Sequence, residues 1–454
     1  MLAALRCKRQ AWEMGGVPAN AVGIEHQVRR RSRRRLVTAA LQAVAPNAEH
    51  HLRIRTPAVT LQIDGLMDGR TLIAVQPGAT LRRHHLERVA LQWWALRGAQ
   101  VPIDGCMLIH LNSAHRAPGP EPLFLTQDIT STVETAVARL GPRFAAMQDH
   151  SADKPPDPEP GTHCTRPRPC AQLEACQGEP TEHSLSDLYR VKDRVLKRLQ
   201  SGGITRISDI PSDFPLPPIA DRQRRAVQSG SLVVDPGIAA ALGGIVSPTS
   251  FIDFEAVQPA IPLWAGCRPF EAIPVQVSVH QMDAEGAVHH LEWLASGSGD
   301  PRPELAAFLA PIVRETGSFV AYFSQFEQNM LTMLADSACE ADRDALLAST
   351  TRFVDLLPVV REHLYHPDFH GRFNLKTVVG ALLPKLAYDD LVVNRGDLAS
   401  LLLEQFLVDD ASQSTGSQDP RRKDLLAYCK RDTLALVELA RLLWTLAPEH
   451  RETE

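Results

Sequence analysis

The 454-residue sequence predicts an α/β protein with an N-terminal α/β domain, a helical connector and a C-terminal α/β domain. Three observations predict it. The length suits two or three domains, and 44% hydrophobic residues suffice for ordinary cores. Residues 248–448 alternate apolar strand-like runs with helical patterns. Residues 1–178 mix both patterns and end in Pro-rich, Cys-containing sequence, and 183–245 between them reads as short helices with turns.

The elements follow in order. In the first block, Leu61-Gln62-Ile63-Asp64-Gly65 reads as a strand, and Leu72-Ile73-Ala74-Val75-Gln76 is a second with a two-residue period. Val89 to Trp94 is helical, and Met107 to Leu111 returns to strand. Ser151 to Gly161 is a loop by composition. In the connector, Val195 to Ile204 followed by Ile207 and Ile210 forms a small helical hairpin. In the last block, Ser250 to Ala256 and Gly317 to Tyr322 are strands. The polar stretch Asp409 to Arg422 is expected as a loop ahead of the helix that carries Tyr428. No internal repeat is visible.

No apolar run is long enough for a membrane span, and the N-terminus lacks a signal-peptide core. A soluble, cytoplasmic protein without a membrane partner is expected. The net charge of −5 does not by itself suggest nucleic acid. Its distribution is uneven: residues 1–60 carry 11 Lys/Arg against 3 Asp/Glu, a balance of +8, so the rest sums to −13. The run Arg29 to Arg35 suits either a phosphate backbone or a solvated helix face.

Chemistry concentrates in the last block. On a strand, residues i and i+2 share a face, so Asp253 and Glu255 point the same way. On a helix, i and i+4 share a face, so Tyr428 and Asp432 converge. Carboxylates that close are unfavourable unless a cation lies between them. A strand Asp-x-Glu and a helical Tyr-x-x-x-Asp resemble the ends of the DEDDy exonuclease pattern of DnaQ-like proteins, in the ribonuclease H-like superfamily. The resemblance implies a mixed sheet. It places Glu327 where the family has its second Asp, with Tyr322 or Phe323 in place of the family's Asn. It implies that Asp253, Glu255, Glu327 and Asp432 bind two Mg²⁺ or Mn²⁺ ions and that Tyr428 orients the attacking water. Asp355 is expected one layer behind the ligands, and Lys376 at a phosphate or in a structural contact. Hard cations take oxygen ligands, and two of them roughly 4 Å apart activate water and stabilise the leaving oxygen.

The eight cysteines suggest thiols or metal ligands. Cys164, Cys170 and Cys176 cluster, and Cys7 lies far away. Cys106, Cys267, Cys339 and Cys429 read as core. One distant cysteine plus three clustered ones resembles the iron–sulfur staple of RecB-like PD-(D/E)XK nucleases. That implies a four-iron–four-sulfur cluster on Cys7, Cys164, Cys170 and Cys176, with zinc as the alternative. Of that fold's nuclease motif, Asp64 and the helical Gln92 are present, but Ala74 and Gln76 stand where the family has Glu and Lys. Ala cannot ligate and Gln carries no charge, so this block is expected to be catalytically inactive. His50 and Glu87 are candidate substitutes for the missing ligands, with an exposed helix position expected for Glu87.

The whole chain thus resembles a bacterial family that joins a RecB-like domain (1–178), through a connector (183–245), to a DnaQ-like domain (248–448). The implied function is a metal-dependent 3′→5′ exonuclease acting on a single-stranded DNA or RNA end. The alternative is a nucleic-acid-binding scaffold with impaired nuclease centres, working with protein partners in a defence or repair complex.

Overall fold

A computed structural model describes residues 7, 24–56, 59–78, 80–147, 156–159, 161–164, 170, 173, 176, 182–297, 299–410 and 420–447. Most of the Pro-rich stretch 151–161 and the centre of the polar stretch 409–422 lie outside the described residues. The protein is α/β and falls into two compact units, 1–180 with 258–271 and 181–257 with 272–454. No helix among the described residues is long and apolar enough to cross a membrane.

The first unit is built on helix α1 (Ile24–Val44), strands β1 (Glu49–His50), β2 (Arg53–Arg55), β3 (Thr60–Gln62), β4 (Gly65–Met67) and β5 (Thr71–Gln76), helix α2 (Arg83–Gly98), strands β6 (Gly105–Leu111) and β7 (Phe124–Asp128), and helix α3 (Thr130–Ala146). Its sheet runs β1-β4-β5-β6-β7, with only β5 and β6 parallel. β5 is buried from Leu72 to Gln76 because both faces are covered. Leu72 and Ala74 pack with Val89 and Trp93 of α2, while Ile73 and Val75 pack with Val37 and Leu41 of α1. This is the two-residue alternation of a strand sandwiched between helices. The excursion 258–271 belongs to this unit: Ala260 and Ile261 join its α1-side core, and Arg116 donates to the Gly266 carbonyl at 2.9 Å.

The second unit opens with α4 (Asp193–Ser201), α5 (Pro218–Ser229), β8 (Val233–Val234) and α6 (Ile238–Leu242). Then come β9 (Thr249–Val257), β10 (Ile273–Met282), β11 (Val288–Leu294), α7 (Pro301–Glu315), β12 (Ser318–Ala321), α8 (Gln325–Ala335), α9 (Glu340–Ser349) and β13 (Phe353–Asp355). It closes with α10 (Leu356–His363), β14 (Leu364–Tyr365), α11 (Leu375–Leu382), α12 (Gly396–Asp410) and α13 (Pro420–Leu446). The sheet order is β11-β10-β9-β12-β13. β11, β10 and β9 are antiparallel, and β9, β12 and β13 are parallel, so the sheet is mixed.

Residues 183–245 are more than a connector. β8 pairs with β14, and the buried Arg222 binds Asp235 at 2.6 Å and the carbonyls of Arg361 and Glu362. These bonds tie the segment to α10, which is why it belongs to the second unit. The central strand β9 divides the core. Ile252 and Phe254 face Leu305, Leu309 and Leu331 of α7 and α8. Phe251 faces the other way, toward Leu436 and Val437 of α13. By the same alternation, Asp253 and Glu255 lie on the α13 face.

Candidate metal centre

Two elements bring the acidic residues together. β9 is fixed between β10 and β12, with Asp253 opposite Ser278 and Glu255 opposite Gln276. α13 is fastened across β10 by polar contacts: Gln276 donates to the Leu425 carbonyl at 2.9 Å, and Thr433 Oγ1 lies 2.7 Å from Ser278 Oγ and 2.8 Å from His280 Nδ1. These buried bonds set the rotation of the helix and turn Tyr428 and Asp432 toward β9. Asp253, Glu255 and Asp432 each place a carboxylate oxygen within 4.8 Å of the others. Among the described residues this is the set of three or more potential ligand side chains that meets that spacing. Cys429, also buried, lies with its Sγ 3.5 Å from Asp253 Oδ2.

The electrostatics is severe. Two charges 4.8 Å apart repel by roughly 3–4 kcal/mol at an effective dielectric of about 20. Burial, followed by the charges of Asp432, Glu255 and Glu327, pushes Asp253 well above the usual carboxylate range. Burial and then Asp432 do the same to Glu255. Burial raises Asp432 to about 6, against the pull of a hydrogen bond from Tyr388. Lys376 supplies partial compensation; its ammonium lies 4.4 Å from the Tyr428 ring centre and 4.7 Å from that of Tyr388 and donates to the Asn394 carbonyl at 2.5 Å. Burial lowers its own pKa, while the carboxylates pull it back up. One lysine against three clustered carboxylates leaves an electrostatic gap that a divalent cation fits. The all-oxygen donor set suits Mg²⁺ or Mn²⁺.

Glu327 lies in the first turn of α8, 4% exposed, outside the three-residue set. Its charge nevertheless acts on both Asp253 and Glu255, and its Oε2 is buried without a hydrogen-bond partner. Burial pushes its carboxyl up to about 8. A buried carboxyl oxygen without a partner is unusual, and this one could take a cation or hold a proton. Asp355 holds this helix in place. Its carboxylate accepts from the backbone N–H groups of Phe323 (2.8 Å), Ser324 (3.0 Å) and Leu357 (2.9 Å), capping α10 and fixing the turn into α8. Phe323 in that turn has φ +69°, a region that bulky residues rarely adopt. Tyr322 donates to the Phe373 carbonyl at 2.6 Å and takes no part in the cluster.

Tyr428 is 3% exposed, and burial followed by the Asp432 charge drives its phenol pKa far up. It therefore stays a neutral hydrogen-bond donor. Tyr388, which no sequence pattern singled out, donates to Asp432 Oδ1 at 2.5 Å. It comes from a short irregular segment with no periodicity to betray it. A cavity of about 560 Å³ opens on Asp253, Glu255, Asp432, Tyr428 and Lys376. Its other wall includes Tyr189 and Arg190 from the supposed connector, which sequence reading also missed.

In the first unit, Ala74 and Gln76 share one face of β5, both buried. Gln92 is buried on α2 and donates to the Gln62 carbonyl at 2.9 Å. Asp64 lies beside them but is already engaged. Arg33 of α1 reaches its two oxygens at 2.9 and 2.8 Å, and the Val75 N–H donates at 2.9 Å. A guanidinium thus sits on the carboxylate that the motif would offer to a metal. The remaining arginines of the run, 29–31, 34 and 35, are exposed. Glu87, expected on an exposed helix position, is instead 5% exposed and paired with Arg83 at 2.8 Å. The helix turns it inward, one turn after Arg83. His50 lies exposed on the edge strand β1.

Cys106, Cys164, Cys170, Cys339 and Cys429 are free thiols. Cys164 is buried, and Cys7, Cys170 and Cys176 are half-buried. The Cys170 N–H donates to the Cys164 carbonyl at 2.7 Å. Among the described residues no three of these thiols lie within 4.8 Å of one another, whereas a tetrahedral zinc ion would hold its sulfurs about 3.8 Å apart. Cys106, Cys267 and Cys429 are core residues as expected, but Cys339, at the N-terminal boundary of α9, is exposed.

Residues 250–374 match a family model described as a domain of unknown function, DUF2779. The match takes in Asp253, Glu255, Glu327 and Asp355 and stops short of Tyr428 and Asp432. No curated protein and no solved structure matches the chain.

Proposed function

We propose that the second unit is a metal-dependent nuclease, acting as a 3′→5′ exonuclease on a DNA or RNA end. The observation that supports it most is the convergence of Asp253, Glu255 and Asp432 within 4.8 Å at the floor of an open cavity. Gathering three carboxylates costs too much to be a packing device, since apolar residues would fill the same space without repulsion. Asp253, Glu255 and Asp432, with Glu327 beside them, would hold two divalent ions. Such ions, when bound, activate water and stabilise the leaving oxygen of a phosphodiester.

The chain's own residues do the rest. Tyr428, a neutral phenol whose one O–H bonds Asp432, would turn that donor to the water or a phosphate oxygen once the carboxylate holds an ion. Tyr388 and Lys376 hold Asp432 and the cluster in place. Asp355 fixes the helix that presents Glu327. The first unit is non-catalytic in this reading, because Arg33 neutralises Asp64 where a metal would bind. Its exposed arginines give it a surface for nucleic acid. Cys7, Cys164, Cys170 and Cys176 are the candidate ligands of an iron–sulfur cluster, with zinc as the alternative, although no three of these thiols meet ligand spacing among the described residues.

The test is degradation of a single-stranded oligonucleotide labelled at either end, with Mn²⁺. A 5′ label should give a descending ladder, and a 3′ label should give labelled mononucleotide at once. The opposite pattern would overturn the direction, and no products would overturn the nuclease.

A further inference from the structure

We infer that Arg190 and Arg361 form a phosphate-binding subsite in the cavity of the three carboxylates, gripping the backbone of a single-stranded nucleic acid away from the bond being cleaved. The inference rests on the nuclease reading of that cavity and adds to it a substrate-holding element from outside the carboxylate motifs.

Arg190 lies in the segment ahead of α4, and Arg361 lies on α10; both line the cavity. Arg190 is exposed and has no carboxylate partner among the described residues. Its guanidinium sits 5.3 Å from the centre of the Tyr189 ring, which in turn meets Phe373 edge-on at 5.0 Å. A solvated surface arginine needs no such support. The backbone here is also held. Gln223, 1% exposed, accepts from the Tyr189 N–H at 2.8 Å and donates to the Asp187 carbonyl at 2.8 Å. That clamp holds the chain just ahead of Arg190, which takes φ +47°, an unfavourable conformation for a residue with a side chain. Strained residues persist where the surroundings over-determine them, and they cluster at ligand sites.

Charge gives the chemistry. Two divalent ions at the carboxylates would serve the phosphate being cleaved, so a second phosphate in the cavity needs a cation of its own. Lys376 is committed to the two tyrosine rings and the Asn394 carbonyl. Arg361 pairs with Glu362 at 2.9 Å through Nε alone. Arg190 keeps its planar fork of donors, a geometry that matches phosphate oxygens. It lines the same cavity as the carboxylates, so in this proposal it holds a second nucleotide while the first lies over the cluster.

The experiment uses the full chain with Mn²⁺ and two substrates: thymidine 5′-(p-nitrophenyl) phosphate, which has a single nucleotide, and a single-stranded oligonucleotide. Arg190→Ala should leave hydrolysis of the small ester unchanged and raise KM for the oligonucleotide roughly tenfold or more, with kcat little altered. The slope of log(kcat/KM) against log salt should shrink by about 0.7, the loss of one phosphate contact to a single strand. Arg190→Lys should restore part of the loss. An equal fall on both substrates, or no change on the oligonucleotide, would overturn the subsite. Should the wild type cleave neither substrate, the nuclease reading fails. Fluorescence anisotropy of a labelled oligonucleotide then decides the subsite alone: equal affinity in wild type and Arg190→Ala overturns it, and a roughly tenfold weaker variant supports it.

Discussion

The hydroxyl of Tyr388 donates to Asp432 Oδ1 at 2.5 Å in a buried contact. It comes from a segment outside every recognisable motif. Burial raises Asp432 to about 6, and this bond holds it below where burial alone would leave it. Removing the hydroxyl in Tyr388→Phe should push Asp432 further up. Loss of a residue that orients a ligand typically costs 10–100-fold in metal affinity. Mn²⁺ affinity should fall by about tenfold, and the acid limb of the pH–rate profile should move to higher pH. An unmoved profile would show that Tyr388 only packs.

The fold and half of the centre were legible because they rest on local periodicity. Asp253 and Glu255 follow from strand alternation, and Tyr428 and Asp432 from helix spacing. The two-residue period that sends alternate side chains of β5 and β9 to opposite faces was equally readable. What could not be read depends on long-range packing. Tyr388 meets Asp432 across 44 positions. Arg33 reaches Asp64 across 31. Tyr189 and Arg190 lie in a segment that looked like a spacer until the Arg222 bonds tied it to α10. Polar partners of this kind leave no period in the sequence.

Metal and protons should compete for the centre. Asp432 at about 6 and Glu327 at about 8 both lie above their unfolded values. A carboxyl whose folded pKa is raised contributes stability that is complete below its unfolded value and is lost as pH rises through the folded one. The metal-free protein should therefore lose stability between about pH 4 and 8. Added Mn²⁺ should return it, because binding needs the ionised forms. Melting temperatures with and without Mn²⁺ should diverge as pH rises from 5 to 8.5. A gap that stays constant would contradict this coupling.

Asp64 should prove structural. Asp64→Ala strands Arg33 and leaves the Val75 N–H without its acceptor. The first unit should lose about 2 kcal/mol, read from the denaturant midpoint. Nuclease activity should be unchanged. Asp64→Asn, which keeps an acceptor for Val75, should cost less. Loss of cleavage in a folded Asp64→Ala protein would return the first unit to the chemistry.

The four thiols Cys7, Cys164, Cys170 and Cys176 should carry an iron–sulfur cluster. Freshly purified protein should be brown, with a broad visible absorbance that dithionite bleaches. Cys164→Ser should abolish the colour. Colourless wild type containing stoichiometric zinc would replace the cluster with a single ion.

Asp253→Asn tests most directly whether Asp253, Glu255 and Asp432 form a two-metal hydrolytic centre. Asn keeps the shape of the side chain and removes the charge. Wild type and variant are incubated side by side with end-labelled single-stranded DNA and RNA, with Mn²⁺ or with chelator, after circular dichroism shows equal folding. Wild type should cleave at least one strand with Mn²⁺ and neither with chelator. The variant should lose at least a thousandfold in rate, on the order of what removing a group from a site that acts as a unit costs. Undiminished cleavage by a well-folded Asp253→Asn protein, or cleavage that survives the chelator, would contradict such a centre.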